Sequence, residues 1–374
     1  MRNKKWLRSL SLLLVLPMAV AGCTRTKKMI GQNTDTVSSN TGFRGEDRDG
    51  IVVTPSAEIV ELESGLSVVR HDGDDGFDGF LSRGGASSDG EVVAYLAENL
   101  LSGLDLGDIV GGIFGCSTIA SENQTGDKLF GRNFDWQNCK AMIVVSYPGN
   151  GYASLSTVNM DFITQNVSGA VSMALRADEV KTLAALYAPL DGMNEAGLAI
   201  SVNMIRDSAT ISQNTGKPDL TTTTAIRLLL NQAADVEEAL ELLNQYDMHA
   251  SMGMMVHFAL ADASGRSVAV EYVDNEMIVT ETPVLTNFYL AEGEKHGIGT
   301  QQSHERYEIL MECLEESETM EMPDMRDALN SVSKDNFEEF ASTEWSVVFN
   351  LSTGEVWYYH RENYEAGYWL RLEK

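Results

Sequence analysis

A short predicted hairpin constrains the fold of this chain more than any other feature. It begins at Gly115-Cys116, turns at residues 123–128 and resumes as a second apolar run. Apolar residues on both sides of a polar turn are typical of two paired antiparallel strands. Pairing these strands brings Arg132 and Asp135 back towards Cys116. A guanidinium beside a thiol lowers the pKa of that thiol, and the thiolate is the reactive form, so the hairpin predicts a reactive cysteine.

The glycine before the cysteine points to an N-terminal nucleophile. Gly115 has no Cβ, so its carbonyl can be presented in a conformation that the next side chain attacks. Cleavage there would make Cys116 a new N-terminus, with a free α-amine that titrates near ~8 and can accept the thiol's proton. One residue would then supply both nucleophile and base. The alternative is an unreactive, half-buried cysteine, because free cysteines are often buried.

The residues from Cys116 to Asp135 resemble the opening of the choloylglycine hydrolase family, which includes conjugated bile acid hydrolases and penicillin V acylases. In that family a Cys, a GRN segment and an Asp stand at the same offsets. The resemblance recurs four times, in order, over about 200 residues. The recurring segments are DGMNEAGL at 191–198, Asn203, LTN at 285–287 and SHERY at 303–307. The distance to Asn203 is one residue shorter than in the family.

The resemblance implies a role for each of these side chains. Cys116 would attack the amide carbonyl, and its α-amine would pass the proton to the leaving amine. Asp135 would hold this amine, because a carboxylate orients the ammonium form. Arg132 would keep the thiolate charged, and Arg306 would complete the charge network.

Two asparagines complete the implied set. Asn203 and Asn287 would stabilise the oxyanion. Loss of one such hydrogen-bond donor typically lowers kcat by a factor of ~10² or more. Without the resemblance, both asparagines are interpreted as strand-end amides and Arg306 as a surface helix residue.

The predicted elements favour an α+β fold. Strands are predicted at 142–147, 151–158, 256–261, 267–273 and 277–280, with a hairpin at 345–359, and helices at 224–234, from Asp235 to Tyr246, 303–315 and 324–332. Strands, then helices, then strands suggest two antiparallel sheets with helices outside. The resemblance implies the same: a four-layer αββα N-terminal nucleophile hydrolase sandwich.

The first 22 residues are interpreted as a signal peptide. Four basic residues precede an apolar run from Leu10 to Ala21 that is too short to span a bilayer. The run ends in VAGC, which resembles a bacterial lipobox, so Cys23 is predicted to be the lipid-modified N-terminus of an extracytoplasmic, membrane-anchored protein. The alternatives are a plain secretory signal cut nearby and a short anchor.

Between Cys23 and Gly115 the sequence predicts a tether and a pre-segment. Residues 23–49 are polar and without periodicity, as in a flexible linker. Residues 50–115 contain weak strands up to Val69 and a helix after the Ser88 cap. This pre-segment resembles that of the acid ceramidase and N-acylethanolamine acid amidase group, which implies a non-covalent subunit after cleavage. A discarded propeptide is the alternative.

Composition excludes several function classes. The net charge is −28, and loss of the four basic residues of the signal peptide would make it −32 (−28 − 4), so nucleic acid is not expected as a partner. There is no C-x-x-C or H-E-x-x-H pattern, so neither a metal nor another cofactor is expected. The acidic stretch 71–76 departs from EF-hand spacing and is interpreted as a solvated loop. Cys139 and Cys313 are either free or paired with each other.

The sequence therefore predicts an autoprocessed, lipid-anchored hydrolase of linear amides. The sequence does not decide between bile acid conjugates, penicillin V, N-acylethanolamines and other N-acyl amides as the substrate. It also leaves the oligomeric state undecided, including a homo-oligomer. The alternative is a non-catalytic surface lipoprotein that uses the same fold to bind a ligand or partner. A binding module has no need of the thiol, Arg132 and Asp135 at these spacings.

Overall fold

A computed structural model describes residues 50–99, 115–164, 173–335 and 341–373. The predicted signal peptide (1–22), the tether (23–49) with Cys23, and the end of the pre-segment (100–114) lie outside these ranges. Among the residues within them, no helix is long and apolar enough to cross a membrane.

Two large sheets form the centre of the molecule. In spatial order, the seven-stranded sheet consists of β1 (Gly50–Val52), β18 (Gly367–Arg371), β17 (Glu355–His360), β16 (Ser342–Asn350), β5 (Lys128–Trp136), β4 (Gly115–Glu122) and β15 (Val284–Leu285). The nine-stranded sheet consists of β14 (Glu276–Glu281), β13 (Ser267–Val273), β12 (Val256–Ala261), β9 (Ala199–Met204), β8 (Asp191–Asn194), β7 (Ser154–Asn159), β6 (Ala141–Tyr147), β3 (Leu66–Asp72) and β2 (Val60–Glu63). A parallel pair, β10 (Asp219–Thr221) and β11 (Asp247–His249), stands apart.

Helices cover the outer faces of both sheets. On the nine-stranded sheet lie α1 (Phe77–Ser82), α2 (Asp89–Asn99), α3 (Met160–Thr164), α4 (Asp178–Leu186), α5 (Thr222–Gln232) and α6 (Val236–Leu243). On the seven-stranded sheet lie α7 (Gln301–Glu316) and α8 (Met322–Ser331). The expected αββα sandwich is confirmed.

Strand β6 shows why the sequence folds into layers. Met142 and Val144 pack under the helices, whereas Ile143 and Val145 pack between the sheets. Successive strand residues point to opposite faces, so a strand that is buried on both faces has a continuous apolar sequence. The run AMIVVSY therefore belongs to the middle of the sandwich.

The prediction that both sheets are antiparallel is wrong at two places. Strand β1 pairs in parallel with β18, and β3 pairs in parallel with β6 over seven residue pairs. Both added strands come from the pre-segment, whose predicted weak strands are three in the structure. A parallel pair requires a crossover connection, and the chain between β3 and β6 passes through α1, α2 and the β4–β5 hairpin of the other sheet.

The stability of the fold should depend on the pre-segment. Val69 of β3 is fully buried and is paired with Val144 of β6. We expect Val69→Ala to lower the free energy of unfolding by about 1–3 kcal/mol, as Val144→Ala should, because each removes two buried methyl groups. Glu61→Ala, an exposed control on β2, should change it by less than ~0.5 kcal/mol. Denaturant titration measures all three, and a Val69→Ala value near zero would show that the fold does not rely on β3.

Candidate active site

The hairpin prediction is confirmed in detail. Strands β4 and β5 are antiparallel, with Gly115 opposite Asp135 and Thr118 opposite Arg132. The Nη2 atom of Arg132 lies 3.5 Å from the Sγ atom of Cys116. The cysteine is 1% exposed, at the inner face of its sheet.

Arg132 is held by groups of the opposite sheet. Its Nη1 atom donates to the carbonyl of Leu190, at 3.0 Å, and to the carboxylate of Asp191, and its Nη2 atom donates to the carbonyl of Val202, at 2.8 Å. The indole Nε1 of Trp345 donates to the same Asp191 carboxylate at 2.9 Å. The sequence pattern contains Asp191 only as the first residue of the DGMNEAGL segment and assigns it no role. The structure shows that it is the counter-ion that fixes the guanidinium.

The environment of the thiol has opposing effects on its pKa. Burial raises the pKa of Cys116, the Arg132 guanidinium lowers it, and the Asp135 carboxylate raises it, with a net result above the ordinary value. Burial alone would lower the pKa of Arg132, but Asp191 and Cys116 raise it overall, so the side chain stays a cation. The prediction of a lowered thiol pKa is therefore wrong for the uncut chain: the guanidinium acts as expected, but burial outweighs it.

Asn287 and Arg306 surround the backbone of Cys116. The Cys116 amide donates to Oδ1 of Asn287 at 2.8 Å, and Nη2 of Arg306 donates to the same oxygen at 2.7 Å. The Nη1 atom of Arg306 donates to the carbonyl of Cys116 at 2.8 Å and to the carboxylate of Asp135 at 3.3 Å. Arg306 is 5% exposed, so its interpretation as a surface helix residue is wrong.

Asn203 lies near this cluster but contacts a different part of it. Its side-chain Nδ2 is 3.3 Å from the carbonyl of Leu285 and 3.4 Å from that of Thr286. Its neighbours Val202 and Met204 line the cavity beside the thiol. Because side chains alternate along a strand, Asn203 points to the opposite face of β9 from these two neighbours. A role for Asn203 at the oxyanion stays a prediction.

Two partners of Asp135 were missed by the sequence analysis. The Nζ atom of Lys334 lies 3.3 Å from its carboxylate, and the hydroxyl of Thr343 donates to it at 2.7 Å. A Cβ atom on Gly115 would meet Nζ of Lys334, which can move, and would also lie 3.0 Å from Oδ2 and 3.3 Å from Cβ of Asp135, so the space beside this position is tight. Both residues lie about 200 positions from Asp135, and no spacing pattern connects them to it.

A buried histidine supports the segment between β15 and Asn287. The Nε2 atom of His257 lies 2.9 Å from the carbonyl of Thr286, and its Nδ1 atom lies 2.9 Å from the carboxylate of Glu271. Burial would raise the pKa of Glu271, but contact with His257 and two backbone amides lowers it overall. This pair fixes the backbone immediately before Asn287.

A cavity opens beside the thiol, and the empty space there, about 360 Å³, includes open solvent at its mouth. Its lining is apolar with three hydroxyl groups and contains no charged side chain. The lining residues are Cys116, Phe134, Leu190, Val202, Met204, Thr222, Thr223, Ser251, Met252, Met254 and Val256. Such a cavity fits an uncharged, apolar group attached to the carbon that the thiol attacks.

The other two cysteines of the described ranges are free thiols. Cys139 and Cys313 form no disulfide, so the paired alternative is wrong in this structure. In the described ranges, no three His, Cys, Asp or Glu side chains converge in a way that could hold a metal ion.

Breaking the pair between Arg132 and Asp191 should destabilise the fold strongly. We expect Asp191→Asn to lower the free energy of unfolding by about 3–5 kcal/mol, because it leaves a buried guanidinium without its counter-ion. The exposed pair of Arg266 and Glu281, 3.0 Å apart, provides the control: Glu281→Gln should cost at most ~1 kcal/mol. Urea titration compares the two variants, and equal costs would contradict a structural role for the buried pair.

Comparisons with known proteins agree with this geometry. Residues 116–289 match the family described as linear amide C-N hydrolases, choloylglycine hydrolase family. A bile salt hydrolase/transferase of Clostridium perfringens (strain 13 / Type A) is 26% identical over 182 residues, which are 46% of this chain and 53% of that protein. The match thus spans about half the length of this relative.

Solved structures resemble the fold. A mutant of conjugated bile acid hydrolase from Clostridium perfringens matches with a TM-score of 0.50 at 18% identity, covering 66% of this chain and 90% of that one. Penicillin V acylase from Agrobacterium tumefaciens has a TM-score of 0.42 at 17% identity, covering 66% and 83% of the two chains, and no argument rests on that weaker likeness. The resemblance seen in the sequence is thereby confirmed: residues 116–289 carry the pattern of the choloylglycine hydrolase family of linear amide C-N hydrolases, on an N-terminal nucleophile hydrolase fold.

Proposed function

We propose that this protein is an autoprocessed cysteine hydrolase that cleaves the linear amide bond of an N-acyl compound. The observation that carries the proposal is the position of one residue. The thiol of Cys116 lies against the Arg132 guanidinium, while its backbone nitrogen lies against Asn287. A cysteine in a binding protein would need neither arrangement, which favours an enzyme over the alternative of a ligand-binding surface lipoprotein.

Processing would begin with attack by the Cys116 thiol on the Gly115 carbonyl. The C–S bond forms as the C–N bond breaks, and the thiol proton passes to the nitrogen, which becomes an α-amine. Water then hydrolyses the thioester and leaves a carboxylate on Gly115 and a free thiol on Cys116. The new amine would remain beside Oδ1 of Asn287, which already accepts from that nitrogen, and near the carboxylate of Asp135.

Substrate hydrolysis would repeat this chemistry. The α-amine takes the thiol proton, the sulfur adds to the amide carbonyl, and the proton moves to the leaving amine as the C–N bond breaks. Water releases the acyl group as a carboxylic acid and restores the thiol. The Nδ2 atom of Asn287 now donates to the carbonyl of Met204 at 2.7 Å. In the reaction it would release this carbonyl and donate to the oxyanion instead.

The cavity supports an acyl group that is uncharged and apolar. One matched protein is described as a bile salt hydrolase/transferase, so bile acid conjugates are candidates. Penicillin V and N-acylethanolamines stay candidates from the sequence resemblance alone. An anionic group deep in the cavity would find no basic side chain among the lining residues.

We also propose that the enzyme is anchored outside the cell membrane through a lipid on Cys23, and that the pre-segment remains bound after cleavage. The sequence of residues 1–23 supports the anchor. The placement of β1 and β3 within the two sheets supports retention, since residues 48–374 form one compact unit. The lipid would then hold the catalytic chain through the pre-segment rather than through a peptide bond.

Hydrolysis is tested with a panel of N-acyl amides that share one leaving amine. We expect the purified protein to hydrolyse at least one of these amides. Cys116→Ser should lower the turnover rate by at least ~10³-fold, because an alcohol is far less ionised than a thiol at neutral pH. Cys139→Ser and Cys313→Ser are matched controls and should retain most of the activity. Release of the amine is measured, and wild-type turnover by Cys116→Ser would contradict the nucleophile assignment.

Cleavage between Gly115 and Cys116 is tested by intact mass. The wild type should give two chains that co-elute under native conditions and separate in denaturant, whereas Cys116→Ala should give one. Cys23→Ser should move both chains from the membrane fraction to the soluble fraction. A fully active, uncut chain would overturn the proposed processing, and a catalytic chain that leaves the membrane without the pre-segment would overturn retention.

A further inference from the structure

The start of helix α2 contacts a wall of the cavity beside the thiol. The carboxylate of Asp89 accepts a hydrogen bond from the backbone amide of Met252 at 2.6 Å. Met252 lines the cavity, together with Ser251 and Met254 on either side of it. A residue of the pre-segment therefore holds a turn that the substrate would touch.

That turn has a backbone conformation that needs support. Met252 has φ 55° and ψ 17°, in the left-handed region. A residue with a Cβ is uncommon there, and such a conformation persists when its surroundings impose it. The hydrogen bond to Asp89 imposes it from outside the turn.

The same turn is tied to the opposite wall of the cavity. The Ser251 amide donates to the hydroxyl of Thr222 at 3.0 Å, and the Thr223 amide donates to the hydroxyl of Ser251 at 3.3 Å. Both threonines are at the start of α5 and line the cavity. Movement of the turn would therefore change two walls together.

A second contact of the pre-segment braces the strand that leads into α5. The Ala86 amide donates to the carbonyl of Asp219 at 3.0 Å, and the Asp219 amide donates to the carbonyl of Gly84 at 2.8 Å. Between them Gly85 has φ 72°, and a Cβ there would collide with the carbonyl of Asp219. Residues 84–86 thus lie against β10, immediately before the threonines of the cavity.

We propose that the pre-segment determines which acyl groups the enzyme accepts, with Asp89 as the positioning residue that sets the methionine-lined wall through the turn at residues 251–254. This inference rests on the proposed function, because it assigns the acyl side of the substrate to this cavity. The ligand is the uncharged, apolar chain of an N-acyl compound. Methionine side chains adapt to such chains, and the carboxylate limits how far this wall can move.

The experiment measures acyl-chain preference without requiring hydrolysis. Cys116 is alkylated with iodoacetamides whose N-alkyl tails have two, four, six or eight carbons; the sulfur forms the C–S bond and iodide leaves. Peptide mass mapping follows Cys116 separately from Cys139 and Cys313. Each methylene that becomes fully buried can raise the rate by about fourfold. We expect the eight-carbon reagent to label the wild type at least tenfold faster than the two-carbon reagent.

Three variants at Asp89 and one control distinguish positioning from general destabilisation. Asp89→Ala removes the acceptor and should reduce the tenfold ratio to less than threefold. Asp89→Asn keeps an acceptor oxygen and should preserve the ratio. Asp89→Glu places the carboxylate one methylene further out and should reduce the ratio even if the alanine variant fails to fold. Glu98→Ala, an exposed carboxylate on the same helix, should leave the ratio unchanged.

Parallel hydrolysis of matched N-acyl amides separates this inference from the proposed function. If the labelling ratio depends on Asp89 but the wild type hydrolyses none of the amides, the proposed function is wrong and this inference stands. Hydrolysis with a chain preference that Asp89→Ala and Asp89→Glu leave intact would overturn the inference and retain the function. Equal labelling by short and long reagents in the wild type would also overturn the inference.

Discussion

The buried ion pair between Arg132 and Asp191 is the interaction on which the site depends. Arg132 stands on the seven-stranded sheet and Asp191 on the nine-stranded sheet, and both are fully buried. A buried ion pair contributes little net stability, because desolvation opposes its attraction, but removal of one partner is costly. Its effect here is geometric: the guanidinium reaches the thiol of Cys116 only from a position fixed by the opposite sheet.

The thiol combines deep burial with the need to ionise. Burial raises the pKa of Cys116, and the nearby carboxylate of Asp135 raises it further, so the guanidinium cannot make the uncut residue a ready thiolate. A base that accepts the thiol's proton directly removes this difficulty, because the pair of groups then exchanges a proton within the site. The proposed α-amine would be such a base. Arg306 and Lys334 already surround the carboxylate that would receive the amine, so its charge is balanced in this structure.

The features that the sequence predicted correctly are those set by residues close together in the chain. The β4–β5 hairpin, the cap of α6 at Asp235 and the helix around Arg306 depend on neighbouring residues, and the structure confirms them. No local pattern encodes how distant segments of the chain meet. The contacts of Asp135 with Lys334 and Thr343 and the parallel pairing of β3 with β6 depend on such meetings. The predicted direction of the pKa shift of the Cys116 thiol was wrong for a related reason. Burial outweighs one local charge, and burial is a property of the whole fold.

Strand pairing gives the pre-segment a stronger hold than one helix face could. The apolar face of α2 buries Val92 and Leu96, but β3 pairs with β6 along its whole length and places Val68 and Val69 in two different cores. If β3 left, β6 would become an exposed sheet edge with unpaired backbone groups and uncovered apolar side chains, a state prone to association with other chains. The proposed cut at Gly115 would remove one covalent bond and none of these contacts. The same segment reaches the cavity through Asp89 and contributes to both sheets, so its loss would alter the cavity as well as the proposed attachment of the catalytic chain to the membrane.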